Sequence, residues 1–288
     1  MKKKQEYYSY SQVNTFINCP QKYKLTYIDR IKSKNEGVEA FVGKIVHEVL
    51  ETIYKNKIEY LIWDSVEAIY YEIWSKRWHN KIFYFNRTML FGDNRFNTHK
   101  YKKYNQAYFK KLGLEYIRNY YLVNKGPDLN MSSVVDTEVS LFVIINNFRF
   151  KTIIDRIDKT NSSLEIHDYK TGKPKSKVDL KHDMQLVIYQ LALEAKYPDE
   201  EIYLNWHFLK EKNITKQHIR FKKNINEINA VISRISEAIE SIIRSKNKLS
   251  DKNNFPAKVS FLCNWCYLWE NCNKKQEYNE KNPAQNVR

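Results

Sequence analysis

The apolar positions change their spacing along the chain, from helical in the first half to strand-like after Gly126-Pro127. Helical spacing predicts a long helix from Phe41 to about Tyr60 and a short one over Ser9–Asn18, with a linker from there to Gly37. Asn-rich turns separate three segments of strand character, which are Val134–Ile145, Phe148–Asp158 and Ser163–Tyr169. The middle of the chain therefore predicts three successive antiparallel strands.

The rest of the chain returns to alternating helices and strands. The predicted elements are a helix over Leu180–Lys196, strands over Ile202–Leu209 and Thr215–Phe221, and an amphipathic helix beginning near Ile225. Residues 61–126 are rich in Tyr, Trp and Lys and predict a helical insertion. We expect a single α/β (α+β) domain over residues 1–288, with a mixed central sheet flanked by helices.

The charge balance favours an anionic partner. The chain has 49 Lys and Arg against 33 Asp and Glu, a formal charge of +16, and such an excess is typical of nucleic-acid binding. An AT-rich genome would produce a similar composition without that function. No apolar stretch reaches the length of a membrane span and the start lacks a secretory signal, so we expect the cytoplasm, or the host cytoplasm if the protein is viral.

Two predicted strands place acidic and basic side chains together. Asp155 lies near the end of the second strand, and Asp168 and Lys170 lie two residues apart on the third. Residues two apart on a strand share a face, so a carboxylate and an amine would point into one site. An Asp-x-Lys pair alone is more often a surface ion pair, and only its context suggests catalysis.

That context resembles a known family. The segments IIDRID and HDYKTG, at 153–158 and 167–172, resemble the split motif of the PD-(D/E)xK nucleases. Gly43-x-x-x-His47 and Gln185-x-x-x-Tyr189 resemble two further elements of the RecB-like branch of that superfamily. The resemblance implies a restriction-endonuclease-like core.

The resemblance also implies roles for individual residues. His47, Asp155, Asp168 and the backbone carbonyl of Tyr169 would hold Mg²⁺ or Mn²⁺, with the imidazole favouring Mn²⁺. Lys170 would orient or activate the attacking water and stabilise the phosphate. Gln185 and Tyr189 would support Lys170 from the next helix. Glu138 resembles an acidic position in the first strand, but we assign it no ligand role at this stage.

The four cysteines form a second pattern, with Cys19 near the start and Cys263, Cys266 and Cys272 near the end. In a reducing compartment such a set more often binds metal than forms disulfides. It resembles the iron-sulfur staple of AddB-type and CRISPR-associated RecB-like nucleases, in which a [4Fe-4S] cluster joins the termini. Four thiolates could also hold zinc, and their number does not separate the two.

These observations together predict a metal-dependent DNA nuclease. The resemblance favours an exonuclease acting on single-stranded DNA or free ends in recombination, repair, phage replication or CRISPR adaptation. A separate helicase or CRISPR adaptation proteins would be its partners. The alternatives are a non-catalytic DNA-binding subunit of a helicase-nuclease complex and a structure-specific endonuclease. Aromatic residues interleaved with basic ones at Tyr70–Tyr71, Trp74–Trp78 and Tyr101–Tyr104 could line a channel for bases or could simply pack the insertion.

Overall fold

The computed structural model describes residues 7–33, 35–58, 61–84, 89–90, 103–124, 131–249, 254–275 and 277. The chain divides into two compact units. The first contains residues 1–10, 42–78 and 110–234, and the second contains residues 11–41, 79–109 and 235–288. A single nuclease domain over the whole chain remains a prediction.

The helices and strands follow one another in a mixed order. The α-helices are α1 Tyr10–Asn18, α2 Pro20–Tyr23, α3 Val38–Lys55, α4 Trp63–Arg77, α5 Gln106–Val123, α6 Lys177–Lys181, α7 Met184–Lys196, α8 Ile214–Gln217 and α9 Ile225–Lys246. The strands are β1 Glu36–Gly37, β2 Ile82–Tyr84, β3 Met89–Leu90, β4 Val134–Ile145, β5 Phe148–Lys159, β6 Ser163–Lys170, β7 Glu201–Phe208 and β8 His218–Phe221.

The first unit contains a five-stranded sheet with the order β4-β5-β6-β7-β8. β6 and β7 are parallel and the other neighbours are antiparallel, which confirms the mixed sheet flanked by helices. Asn146 and Asn147 join β4 to β5 with positive φ angles of 44° and 67°, as expected of a tight hairpin turn. Helix α7 connects β6 to β7 and packs against β4, β5 and β7.

The core of the first unit explains the strand assignments. β6 and β7 are inner strands of the sheet and are buried along most of their length, and β6 buries the polar side chains of Glu165, His167 and Asp168 together with its apolar ones. β4 and β5 instead alternate between buried and exposed residues towards their shared turn. This alternation leaves one face of the hairpin open to solvent.

Three local expectations were wrong. The proposed linker before Gly37 contains α2, a π-helical turn at Lys24–Ile28 and the short strand β1. The predicted strand at Thr215–Phe221 begins only at His218, because the Asn213 side chain accepts a hydrogen bond from the Thr215 amide and caps a helical turn. The helix predicted at Leu180–Lys196 is two helices, since Asp183 caps a new start at Met184.

The second unit contains a small sheet in the order β1-β2-β3, with β1 parallel to β2 and β2 antiparallel to β3. The proposed insertion at 61–126 thus contributes strands as well as α4 and α5, while Tyr101, Lys102 and Gly126 lie outside the described residues. Among the helices that the structure describes, none combines the length and apolar character needed to cross a membrane.

Candidate metal-binding active site

The candidate site lies where β5 and β6 separate. Their register runs from Lys159 opposite Leu164 to Arg156 opposite His167 and ends there. Asp155 and Asp168 are the next residues on the two strands. Beyond this point the Tyr169 amide of β6 donates its hydrogen bond to Asp155 Oδ2, at 3.0 Å, in place of a strand partner. Both predicted acids are therefore held beside the opening between the strands.

Three side chains bring potential metal ligands together at this opening. One donor atom each from His47, Glu138 and Asp155 lie within 4.8 Å of one another. His47 Nδ1 lies 3.3 Å from Asp155 Oδ2, and its Nε2 lies 2.8 Å from the carbonyl oxygen of Tyr169. An imidazole with two carboxylates is a donor set that suits a divalent cation of the first transition series or Mg²⁺.

Glu138 is the member that the sequence did not identify as a ligand. It lies on β4 between the Thr137–Arg156 and Val139–Ile154 pairs, opposite Asp155. Its φ of 50° is in the left-handed region, which is uncommon for a residue other than glycine and tends to occur at functional sites. The sequence signal was limited to an acidic residue in the first strand, since backbone conformation at one position leaves no periodic pattern.

The charges at the site are strongly coupled. Burial lowers the pKa of His47, but the adjacent Asp155 carboxylate outweighs it and raises that pKa to about 9. For Asp155, burial opposes ionisation, yet the His47 charge and the Tyr169 amide bring its pKa below the usual value. Burial, with the charges of Asp155 and Glu51, raises the pKa of Glu138 to about 6. Proton and metal therefore compete for these donors.

Asp168 and Lys170 form a second group at the same opening. Lys170 Nζ lies 2.6 Å from Asp168 Oδ2 and donates a hydrogen bond of 3.0 Å to Gln185 Oε1. Gln185 Nε2 in turn donates to the Tyr189 hydroxyl at 2.6 Å, and that hydroxyl donates to Asp168 Oδ1 at 3.4 Å. Gln185 and Tyr189 thus close a ring of contacts around the Asp168–Lys170 pair.

This ring keeps Lys170 charged. Burial lowers the pKa of Lys170, but the Asp168 carboxylate more than compensates, so the net shift is upward. Burial raises the pKa of Asp168, partly offset by Lys170. In this arrangement Lys170 is a cation and a hydrogen-bond donor at neutral pH, and it is unsuited to act as a general base.

The buried guanidinium of Arg156 contacts Tyr169 next to the metal site. Arg156, on β5, donates hydrogen bonds to the hydroxyls of Tyr169 at 2.8 Å and Tyr120 at 3.0 Å. Its Nε lies 2.8 Å from Asp158 Oδ1, and its guanidinium lies 3.9 Å from the centre of the Tyr54 ring. These contacts fix the side chain of Tyr169, whose backbone atoms face Asp155 and His47.

The four cysteines lie in the second unit and line one cavity of about 210 Å³. Among the residues that the structure describes, no three of their sulfurs lie within 4.8 Å of one another. Four thiolates on one zinc ion would have sulfurs about 3.8 Å apart, given bonds of about 2.3 Å. Burial raises the pKa of the Cys266 and Cys272 thiols, with the other cysteines adding to the effect. The thiols share a cavity without forming a closed tetrahedral site.

Comparison with known proteins shows the family of the chain. An Eubacterium rectale protein, whose assignment as an exonuclease is itself provisional, is 12% identical with a TM-score of 0.47, over 95% of this chain and 88% of that chain. The solved structure of SSO0001 is also 12% identical, with a TM-score of 0.32 over 92% of this chain and 96% of that chain. No curated protein matches. The family model of the PD-(D/E)XK nuclease superfamily matches residues 7–273, and the chain belongs to that superfamily.

Proposed function

We propose that the protein is a metal-dependent DNA exonuclease that acts on single-stranded ends. The observation that carries this proposal is the convergence of His47, Glu138 and Asp155 beside the Asp168–Lys170 pair, at the opening between β5 and β6. Membership of the PD-(D/E)XK superfamily implies hydrolysis of phosphodiesters. Single-stranded specificity and the preference for ends rest on the resemblance of the motifs to the RecB-like branch.

His47, Glu138, Asp155, Asp168 and the Tyr169 carbonyl are the groups that would hold a divalent cation, Mg²⁺ or Mn²⁺. When bound, the cation would neutralise developing charge on the phosphate and lower the pKa of a coordinated water. The donor set fits this role, because a neutral imidazole and several oxygens match the preferences of Mn²⁺ and the oxygens alone match Mg²⁺.

Lys170 would supply positive charge next to the reacting phosphate. A protonated amine can orient a nucleophilic water by donating to it or stabilise the extra negative charge of the transition state. The hydrogen bond to Gln185 restricts the amine, and the bond from Gln185 to Tyr189 restricts the amide. We therefore assign Gln185 and Tyr189 positioning roles, since neither needs to contact the phosphate.

Digestion of end-labelled linear DNA and of circular single-stranded DNA, with Mg²⁺ or Mn²⁺, tests the proposal. Wild-type protein should degrade linear single strands and leave the circles intact. Asp168→Asn and Lys170→Ala should abolish cleavage while retaining DNA affinity, because affinity comes mostly from the basic surface. Cleavage of the circles would indicate an endonuclease. DNA binding without any cleavage would favour the non-catalytic subunit.

We further propose that the protein belongs to the RecB-like branch and that its cysteines hold a [4Fe-4S] cluster. The support lies in the donor set, since Cys19, Cys263, Cys266 and Cys272 line the same cavity. Four thiolates are the usual ligands of such a cluster and can also hold zinc, so metal analysis has to separate the two. Joining residue 19 to residues 263–272, it would stabilise the nuclease domain proposed for residues 1–288.

Anaerobic purification followed by metal analysis tests the cluster. We expect brown protein with about four irons per chain and broad absorbance near 400 nm. Colourless protein with one zinc would retain a metal site and exclude the cluster. Protein without either metal would contradict both.

A further inference from the structure

The β4–β5 hairpin extends away from the metal site and has an open face on the same side as Asp155. Side chains two residues apart on a strand share a face, and opposed residues of an antiparallel pair share it as well. We define the hairpin face by the large apolar and basic side chains that this register places there and by the tyrosine that packs on them, namely Tyr7, Phe142, Ile144, Arg149, Lys151 and Ile153. The metal site and the hairpin face are thus continuous along β5.

The hairpin face exposes large apolar side chains. Phe142, Ile144 and Ile153 are 45%, 73% and 46% exposed, whereas Phe150 and Val143, on the opposite face, are buried. Such clustering of exposed apolar groups is unusual on a surface that contacts only water and commonly marks a binding site. The alternation is regular, so the exposure follows from the strand register and not from a frayed end.

Cations and aromatic rings are interleaved on the same face. The Arg149 guanidinium lies 4.2 Å from the centre of the Phe142 ring, and the Lys151 ammonium lies 6.0 Å from the centre of the Tyr7 ring. Tyr7 and Phe142 pack edge to face with centroids 5.9 Å apart. None of the six residues that define the hairpin face is acidic, so it is positively charged and complementary to an anion.

This combination selects one kind of occupant. Flat apolar rings that can stack on bases, with cations that contact phosphates, are the features with which proteins bind single-stranded nucleic acid irrespective of sequence. A protein strand that paired with the free edge of β4 would use the backbone of that edge and would not need Arg149 or Lys151. The charge of the face therefore favours a nucleic acid.

We infer that the hairpin face binds the single strand whose phosphate enters the metal site, with Phe142 and Tyr7 stacking on bases and Arg149 and Lys151 contacting phosphates. The inference rests on the proposed nuclease function and adds the path of the substrate. At about 3.4 Å per strand residue, Lys151 and Arg149 lie about 14 and 20 Å from Asp155 along β5. These distances match about four and six stacked nucleotides.

Fluorescence anisotropy with labelled oligo-dT in EDTA measures binding without cleavage. Arg149→Gln with Lys151→Gln removes two cations from the hairpin face. Lys196→Gln with Lys222→Gln is the matched control, because these exposed lysines lie at the ends of α7 and β8, away from the active-site ends of β6 and β7. Each phosphate contact contributes about 0.7 to the slope of log affinity against log salt, so the hairpin variant should lose about 1.4 from that slope and the control nothing.

Stacking is tested separately with Phe142→Ala, whose exposed position limits the loss of stability. We expect its affinity for oligo-dT of about twelve nucleotides to fall at least about fivefold, since one stacked base contributes about 1 kcal/mol or more. An oligonucleotide that extends fewer than about four nucleotides from the metal site towards the hairpin does not reach Lys151. Wild type and both hairpin variants should bind such an oligonucleotide equally. Thermal melting of each variant checks that the fold is retained.

The outcomes separate this inference from the proposed function. Equal salt slopes and affinities for wild type and hairpin variants, with active cleavage by wild type, would overturn the path while leaving the nuclease in place. Reduced binding by the hairpin variants in a protein that never cleaves DNA would support the path and overturn the nuclease. Concentration-dependent dimers that Phe142→Ala abolishes, with DNA affinity unchanged, would identify the hairpin face as a protein interface and overturn the path.

Discussion

Replacing Arg156 by Met should destabilise the first unit more than any single surface change. The guanidinium is fully enclosed by the Asp158 carboxylate, two tyrosine hydroxyls and the Tyr54 ring. Methionine fills a similar length of side chain but leaves the buried Asp158 carboxylate without its cation. Breaking a buried ion pair in this way costs about 3 to 5 kcal/mol, because an uncompensated charge remains in the interior.

Neutralising Asp158 should recover part of the stability that Arg156→Met loses. Arg156→Met with Asp158→Asn removes both charges and should restore about half or more of the lost stability, since paired replacement of buried charges is often nearly neutral. Burial already raises the pKa of Asp158 in the native protein, and loss of Arg156 should raise it further. A raised folded-state pKa means that stability is retained below the unfolded pKa and lost as pH rises, so the deficit of the single variant should grow towards neutral pH.

Urea denaturation followed by far-UV circular dichroism, at acidic and neutral pH, measures these differences. Tyr169 loses a hydrogen bond in the same variant, so its carbonyl should be held less firmly and Mn²⁺ affinity should fall as well. A single variant that loses less than about 1 kcal/mol at neutral pH, or a double variant no more stable than the single one, would refute the assignment of Arg156 and Asp158 as a mutually dependent pair.

Three further predictions concern metal binding. Mn²⁺ affinity should rise about tenfold per pH unit up to about pH 9, because His47 must release its proton to become a ligand. Calorimetry in two buffers should show about one proton released on Mn²⁺ binding near pH 7.5, and an affinity independent of pH would contradict this. Glu138→Gln should weaken Mn²⁺ binding about tenfold or more while leaving the melting temperature nearly unchanged, and equal affinity would exclude it as a ligand. Cys272→Ala should remove the absorbance near 400 nm and lower the melting temperature, whereas Ser245→Ala, also in the second unit, should do neither.

The strand periodicity carried most of the information about the site. A period of two placed Asp168 and Lys170 on one face, and the structure brings them into an ion pair. The bounds of β4 were predicted to the residue and those of β5 and β6 to within one residue. The ends of these strands can be predicted from the sequence because turn residues and a change in apolar spacing mark them.

Features that depend on single side-chain contacts could not be predicted from the sequence. The turn at Ile214–Gln217 depends on the capping hydrogen bond that the Asn213 side chain accepts from the Thr215 amide, in a segment whose composition favours a strand. The contribution of Glu138 depends on a left-handed backbone angle, and the network of Arg156 joins residues from three distant segments. Sequence patterns report faces and periods, and they do not report which buried polar groups meet.

The early end of the β5–β6 ladder has a consequence for engineering this protein. In a complete sheet the amide and carbonyl of Tyr169 would be used by a neighbouring strand, but here they meet Asp155 and His47. Removing a catalytic group often stabilises an enzyme, but this gain should fail at Asp155, because its carboxylate substitutes for a missing strand. Asp155→Ala would leave an inward-facing amide without an acceptor, whereas the Lys170 side chain completes no backbone hydrogen bond among its described contacts. An inactive form intended for structural work is therefore better made with Lys170→Ala and Asp168→Asn together, so that no buried charge is left without its partner.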